Sequence, residues 1–251
     1  GVFIDALNEA DVTKWFADLN NRTGPGAANR VMAILNNMLN KAEVWGYRLE
    51  NTNPCRAVRL NRKRRCERFL SNAELGRLGR VLAEARGGGD PVASAKATAV
   101  TLLLLTGCRV GEILGLHWQD VRGNRLMLRD SKTGPRTVWL GDDARALIGT
   151  LPRLKNLPWL FWNVRARKPI RDITHFWHHV RERAGLPAVR LHDLRHTFAS
   201  HAAINKETLP MIGRLLGHAN PQSTARYAHL DDAHVLDAAE QIGAAIERML
   251  S

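Results

Sequence analysis

Three short stretches near the C-terminal end concentrate side chains that handle anions and protons. They are His192-Asp193-Leu194-Arg195-His196, Leu216-Gly217-His218 and Thr224-Ala225-Arg226-Tyr227. On a helix His192 and Arg195 stand three apart and share a face, so an imidazole and a guanidinium converge on one anion. Upstream, Thr106-Gly107-Cys108-Arg109-Val110-Gly111-Glu112 sets Arg109 at a helix start with Glu112 one turn on to orient it. Each fragment alone says little, because an isolated His-x-x-Arg or Arg–Glu pair usually decorates a helix surface. The sequence holds 2 tyrosines, Tyr47 and Tyr227. Tyr227 lies among the Arg and His motifs. Tyr47 follows an apolar helix and Gly46 with no such motif around it, and reads as a packing or surface aromatic.

Other chemistries find less support. Cys55, Cys66 and Cys108 lack C-x-x-C spacing, so neither a disulfide framework nor a four-ligand zinc site is indicated, and Cys108 reads as a small buried residue. His175, His178 and His179 have a spacing that can place ligands on one helix face, but a surface or DNA-facing helix is the better reading. No Walker-type Gly-x-x-x-x-Gly-Lys-Ser/Thr loop and no clustered Asp/Glu motif with metal spacing appears. The longest apolar run, Ala99 to Leu105, falls well short of the roughly 20 residues that span a bilayer, and no basic, then apolar, leader opens the chain.

These residues need elements to position them. Apolar residues at Ala28, Val31, Leu35, Met38, Ala42 and Trp45 mark one face of a helix, preceded by a shorter helix around Asp11 to Leu19. Ser71-Asn72-Ala73-Glu74 is a capping box opening a helix to about Ala85, which Gly87-Gly88-Gly89 breaks. Helices are expected from about Val92 to Leu105 and from Arg109 to Leu116. Turn signals at Gly123-Asn124 and Thr133-Gly134-Pro135 flank strands at Arg125 to Arg129 and Arg136 to Leu140. Helices then resume at about Asp143 to Leu151, Ile170 to Ala184, Leu191 to Ile204, Pro210 to Leu216, Pro221 to Tyr227 and His234 to Met249. The fold class is mainly α with a small antiparallel β-sheet.

The 251 residues carry 37 Lys plus Arg against 24 Asp plus Glu, a formal net charge of +13, with 45% hydrophobic residues. That is a folded chain with a polyanionic partner, nucleic acid before acidic membrane. The basic residues crowd at Arg56, Arg59, Arg62, Lys63, Arg64, Arg65 and Arg68. This run divides the chain into a helical domain at 1–55, a linker at 56–70 and a larger domain at 71–251. A basic strand between two domains is suited to crossing a phosphate backbone, and Arg62, Lys63, Arg64 and Arg65 are its candidate DNA contacts.

Taken together, the ordered set Arg109, Lys132, His192, Arg195, His218 and Tyr227 resembles the active site of the tyrosine recombinases, the phage integrase family. Thr-Gly-Cys-Arg-Val-Gly-Glu-Ile-Leu, His-Asp-Leu-Arg-His-Thr-Phe-Ala-Ser, Leu-Gly-His and Arg-Tyr-Ala-His occur in the family's order. Ser131-Lys132-Thr133-Gly134 is a shorter match to its β-hairpin lysine. The resemblance implies a core-binding domain, here without the family's full helix set, and a catalytic domain. It implies a site-specific DNA recombinase that cleaves and rejoins strands through a 3′-phosphotyrosine. A type IB topoisomerase-like nicking-closing enzyme and a non-catalytic DNA-binding regulator on the same scaffold are the alternatives.

On that reading Tyr227 is the nucleophile, and it needs cationic neighbours or a base because a free phenol has a pKa near 10. Arg109 and Arg195 offer planar forks to the non-bridging phosphate oxygens. The resemblance makes Lys132 the acid for the departing 5′ oxygen, His192 a proton acceptor or orienter near Tyr227, His218 a phosphate donor and Glu112 a support. It implies no metal, ATP or other cofactor. The partners implied are double-stranded DNA, a homotetramer assembled on it through the C-terminal helix, and accessory DNA-bending proteins, with no membrane. The setting implied is the cytoplasm or nucleoid of a bacterium, with a bacterial or phage gene. Val235, Ala239, Ile242, Ile246 and Met249 form the apolar stripe expected to dock on a neighbouring protomer. Asn205 stands where the family often has Gly after its His-Arg helix, and Asn tolerates a left-handed conformation.

Overall fold

The computed structural model describes residues 2–62, 68–129 and 134–230, together with 242, 244 and 246. The backbone divides into two compact units, Gly1–Cys66 and Glu67–Ser251.

The first unit is a helical pair closed by a short 3-10 turn. Helix α1 (Glu9–Thr23) opens on a reciprocal cap in which Asn8 and Asp11 each satisfy the other's backbone N–H, and Val12 and Phe16 are its buried contacts. Gly24, with φ of +82°, turns the chain directly into α2 (Pro25–Val44), where Pro25 fits the first helical turn. The buried face of α2 is Ala28, Met32, Leu39 and Ala42, with Leu35 packed alongside. The expected face was rotated from this one: Val31, Met38 and Trp45 are exposed. Two adjacent stripes of α2 are apolar, and the packing of α1 selects between them. The 3-10 turn Pro54–Arg56 is pinned by Asn53, whose side-chain nitrogen reaches Asn36 and Asn40 while its backbone N–H meets Glu43.

The second unit is mostly helical with a small antiparallel sheet. Its first helix, α3 (Asn72–Gly87), carries the Ser71–Glu74 capping box foreseen from the sequence. Helix α4 (Pro91–Thr106) is capped by Asp90 and is buried on nearly every side, as expected for a run such as Ala97 to Leu103. It packs against α3, against α6 (Asp142–Gly149), against α7 (Thr174–Arg183) and against α8 (Leu191–Ile204), and so forms the axis of the core. Helix α5 (Val110–Leu114) is shorter than expected, because Arg109 is its cap and Gly115 its end. A three-stranded meander follows, β1 (Val121–Arg122), β2 (Arg125–Leu128) and β3 (Arg136–Trp139), with Leu126 opposite Val138. A two-stranded ribbon, β4 (Trp162–Asn163) with β5 (Lys168–Pro169), had no counterpart in the sequence reading.

Helix α7 starts at Thr174, later than expected, after Asp172 accepts from the Thr174 N–H and hydroxyl. Helix α8 has the expected bounds. Its left-handed residue is Lys206, φ +66°, whereas Asn205 keeps φ −84°, so the turn falls one residue later than expected. Helix α9 (Leu209–Leu216) ends in left-handed Gly217. The expected helix from Pro221 to Tyr227 is two 3-10 segments, Pro221–Ser223 and Ala225–Leu230. Of the C-terminal stripe, Ile242 and Ile246 are exposed, while Val235, Ala239 and Met249 lie outside the described residues.

Candidate active site

Four chain segments bring the site together. The first is the turn between α4 and α5. Gly107 closes α4 with φ of +61°, and a Cβ there would stand 2.5 Å from a Phe198 ring carbon and 2.8 Å from a Leu216 methyl. Only glycine meets both demands. Two residues on, Arg109 caps α5. Its backbone N–H donates to Glu112 Oε2 and its guanidinium to Oε1, each at 2.8 Å. Burial pushes the Glu112 carboxyl up, but hydrogen bonds from Arg136 and Arg109 outweigh it and hold the group below its ordinary range. Glu112 is therefore a carboxylate that fixes the Arg109 head.

The second segment is β3. Arg136 was not among the candidate residues, yet its Nη2 lies 2.8 Å from Glu112 Oε2 and its Nη1 donates to the Leu215 carbonyl at 3.0 Å. The available signal was strand period: Arg136 shares a face with the buried Val138. Nothing local named its partner, which lies 24 positions away. Lys132 lies outside the described residues, as do Lys63, Arg64 and Arg65; Arg62 is exposed in the first unit.

Helix α8 supplies the third group. Arg195 is 4% exposed and donates to the carbonyls of Gly107 at 2.6 Å and Leu216 at 2.7 Å. Burial, with Arg109 and Arg136 nearby, lowers its pKa to about 10. Burial is the larger cause and the two neighbouring arginines add to it, so an anion placed beside Arg195 would meet positive charge. His192 is exposed, and its ring meets that of His196 edge-on at 4.9 Å. Although part of its surface is exposed, the protein packed around the rest of the ring and the Arg195 charge lower the His192 pKa.

The fourth segment runs from α9 into the 3-10 turns. His218 Nδ1 is 2.8 Å from the Thr224 hydroxyl, and burial together with Arg195, Arg109, Arg226 and Arg136 lowers its pKa to about 4. Tyr227 is 4% exposed, and its hydroxyl is 2.7 Å from His196 Nδ1. Burial pushes its phenol up, and Arg226 and Arg195 oppose this. Arg226 Nη1 approaches the other His196 nitrogen, Nε2, at 3.4 Å. Arginine can only donate, so the tautomer that satisfies both contacts carries its proton on Nδ1 and donates it to the Tyr227 oxygen. Burial, His192 and Arg226 lower the His196 pKa to about 4, so the ring is neutral near pH 7.

The structure thus brings Arg109, Glu112, Arg195, His218 and Tyr227 within electrostatic reach of one another, in a cluster rich in cations. Sequence reasoning gave the place beside Tyr227 to His192, and the structure puts His196 there. The signal was present: His196 is one turn beyond His192 on the same face. Tyr47 is 66% exposed in the first unit, and His175, His178 and His179 are exposed on α7. No group of His, Cys, Asp and Glu suited to a metal occurs among the described residues.

A buried tyrosine beside clustered arginines and histidines lies in a helical unit with a small sheet, and comparison with known proteins places the chain in a family. The phage integrase family model matches residues 68–234, and the chain belongs to that family. The tyrosine recombinase XerC of Chromohalobacter salexigens is 32% identical over 161 residues, which is 61% of this chain and 54% of that protein. XerC of Mycobacterium bovis is 28% identical over 251 aligned residues, covering 92% of this chain and 81% of its own length. The matched part of the Chromohalobacter protein is thus about half its length. Among solved structures, a lambda integrase dimer bound to a COC′ core site superposes with a TM-score of 0.72 at 18% identity, covering 90% of this chain and 81% of that one. The Tn1549 transposon integrase in complex with circular intermediate DNA gives 0.68 at 18%, covering 89% and 81%. These likenesses establish a shared two-domain fold, mainly helical with a small antiparallel sheet.

Proposed function

We propose that this chain is a site-specific DNA recombinase that cuts and rejoins strands through a 3′-phosphotyrosine at Tyr227. The observation that carries the proposal is the field around Arg195. Arg195 is buried with both ends of its guanidinium held by the Gly107 and Leu216 carbonyls, and Arg109 and Arg136 share the Glu112 carboxylate beside it. Burial first, then those two arginines, lowers its pKa to about 10, near a buried phenol. Such a pocket is preorganised for an anion whose charge grows at a reaction centre.

The Tyr227 oxygen attacks the scissile phosphorus, the bond from phosphorus to the 5′ oxygen breaks, and the phosphate becomes esterified to the phenol. Arg109 and Arg195 hold the non-bridging oxygens, with His218 donating beside them. The phenol proton leaves through a neighbouring base or solvent, and Lys132 supplies a proton to the departing 5′ oxygen. The 5′ hydroxyl of another strand reverses the exchange, so neither ATP nor a metal ion enters the balance. In the free protein Tyr227 is buried against His196, so the DNA complex must bring the phosphate and the phenol together. Double-stranded DNA is the substrate, and a tetramer joined through the C-terminal segment would hold two duplexes. Lambda integrase has been solved as a tetramer bound to a Holliday junction, at a TM-score of 0.69.

The test is a nicked suicide duplex, selected for binding from a randomised library and incubated with the chain in EDTA, followed by a denaturing gel. A covalent protein–DNA adduct is expected that disappears in Tyr227→Phe and persists in Tyr47→Phe. An adduct that needs Mg²⁺, or one indifferent to Tyr227→Phe, overturns the mechanism. Relaxation of supercoiled plasmid without synapsis would assign the same site to a topoisomerase-like enzyme. Binding without any adduct would leave a regulator.

A further inference from the structure

Arg136 is the arginine of the cluster to which the reaction proposed above gives no contact with the phosphate. It does not reach outward, since its side chain is 10% exposed. One end of its guanidinium bonds Glu112 Oε2, the oxygen that also accepts from the Arg109 backbone, and the other end bonds the Leu215 carbonyl. The next carbonyl, that of Leu216, belongs to Arg195. Two guanidiniums therefore grip consecutive carbonyls at the end of α9, immediately before Gly217 and His218.

The chain reserves space for this. A Cβ on Gly217 would stand 2.5 Å from Arg136 Cδ and 2.8 Å from its Nε, and Gly217 takes φ of +66°. A buried arginine–carboxylate pair is a weak source of stability, because desolvation offsets its attraction. What it supplies is orientation. Resting on the functional reading above, we infer that Arg136 is the positioning residue of the cleavage pocket. It bridges Glu112 to the end of α9, and so fixes the Arg109 head and His218 in one frame.

Without Arg136, Glu112 keeps only its Arg109 contacts, and the Leu215 carbonyl loses its clamp. Arg109 and His218 can then shift independently, and a displacement of about 1 Å at a reacting centre is enough to cost roughly 10²-fold in rate. DNA affinity should change little, because Arg136 is covered.

Single-turnover formation of the covalent adduct, measured against concentration of the selected nicked duplex, separates maximal rate from half-saturation. Arg136→Gln is expected to lower the maximal rate about 10²-fold and to leave half-saturation within about threefold. Arg136→Lys should recover about tenfold of that loss, since one ammonium keeps the charge but spans one acceptor rather than two. In a Glu112→Gln background, Arg136→Gln should add little, because both changes break one bridge. A merely structural arginine would lower the active fraction without altering the rate of the folded protein.

The inference is overturned if Arg136→Gln cleaves at the unsubstituted rate, if the loss lies in half-saturation alone, or if the two substitutions multiply. Should Arg136→Gln not fold, a folded Arg136→Lys that cleaves like the unsubstituted chain overturns it equally. Absence of any Tyr227-dependent adduct from the unsubstituted chain is a separate result. It sinks the recombinase reading, and this inference with it.

Discussion

At the scale of single residues, the histidines of the pocket make stability depend on pH in a defined direction. The His196 pKa is about 4 in the folded protein against an ordinary 6.5, and His218 behaves alike. Between those values the unfolded chain binds more protons than the folded one, so stability is fully present above about pH 6.5 and falls as pH is lowered toward 4. His196 is nearly buried, so its share of the loss between pH 7 and pH 5 should be on the order of 1–2 kcal/mol. Urea denaturation at the two pH values checks this. His196→Phe should roughly halve the dependence and leave the His218 share, and an unchanged slope in that variant would mean that His196 contributes nothing to it. Arg195 carries a second expectation. Arg195→Lys keeps a charge but cannot reach both the Gly107 and Leu216 carbonyls while still facing a phosphate. Adduct formation should fall by about 10²–10³-fold, the usual loss when one preorganised donor to a reacting oxyanion is removed. A Lys variant that cleaves within about threefold of the unsubstituted chain would show that the second carbonyl contact is dispensable.

Among the elements, the turn from α4 to α5 is the most constrained. Gly107→Ala puts a methyl group into Phe198 and Leu216 while forcing a left-handed backbone on a residue that disfavours it. The expected destabilisation is about 2–4 kcal/mol, with loss of cleavage because the Gly107 carbonyl anchors Arg195. Gly79→Ala on the exposed side of α3 is the contrast, since its added methyl meets nothing and should stabilise by about 0.5–1 kcal/mol. Denaturation midpoints compare the two, and equal effects would show that the turn is not under this constraint. The elements also show what the sequence made legible. Helix α8 could be placed to the residue because Leu191 to Ile204 is bounded on both sides and fills its own face. The α3 cap was visible because both its partners, Ser71 and Glu74, are local. The α2 face was misread because Val31, Met38 and Trp45 are as apolar as the residues that are buried, and only α1 decides between the stripes. Strands β4 and β5 have two residues each, too few to show a period. Of the candidate site, Arg109, Arg195, His218 and Tyr227 stand in motifs that single them out in the sequence, and the structure brings them near one another. Arg136 was not legible, because its meaning lies in Glu112 and Leu215, which are distant in sequence.

For the whole molecule, the excess of 13 positive charges becomes a prediction about salt. A few of those charges, Arg109, Arg136 and Arg195, are committed to the pocket and partly compensated by Glu112. Most of the others, Arg59 and Arg62 among them, are exposed and available to phosphates along a duplex. Binding that neutralises several phosphates releases their counterions, so the logarithm of the association constant should fall linearly with the logarithm of salt concentration. For about 6–10 contacts the loss between 50 mM and 200 mM salt is roughly 10³–10⁵-fold. Fluorescence anisotropy with a duplex of arbitrary sequence measures this without knowledge of the target. Substituting Arg59 and Arg62 with Gln should reduce the slope by about 0.9 for each residue that meets a phosphate, equally for every sequence tested, because such contacts read charge and not bases. A slope near zero would detach the charge from DNA binding. A steep slope that survives both substitutions would move the contacts off this basic stretch and onto the rest of the exposed cationic surface.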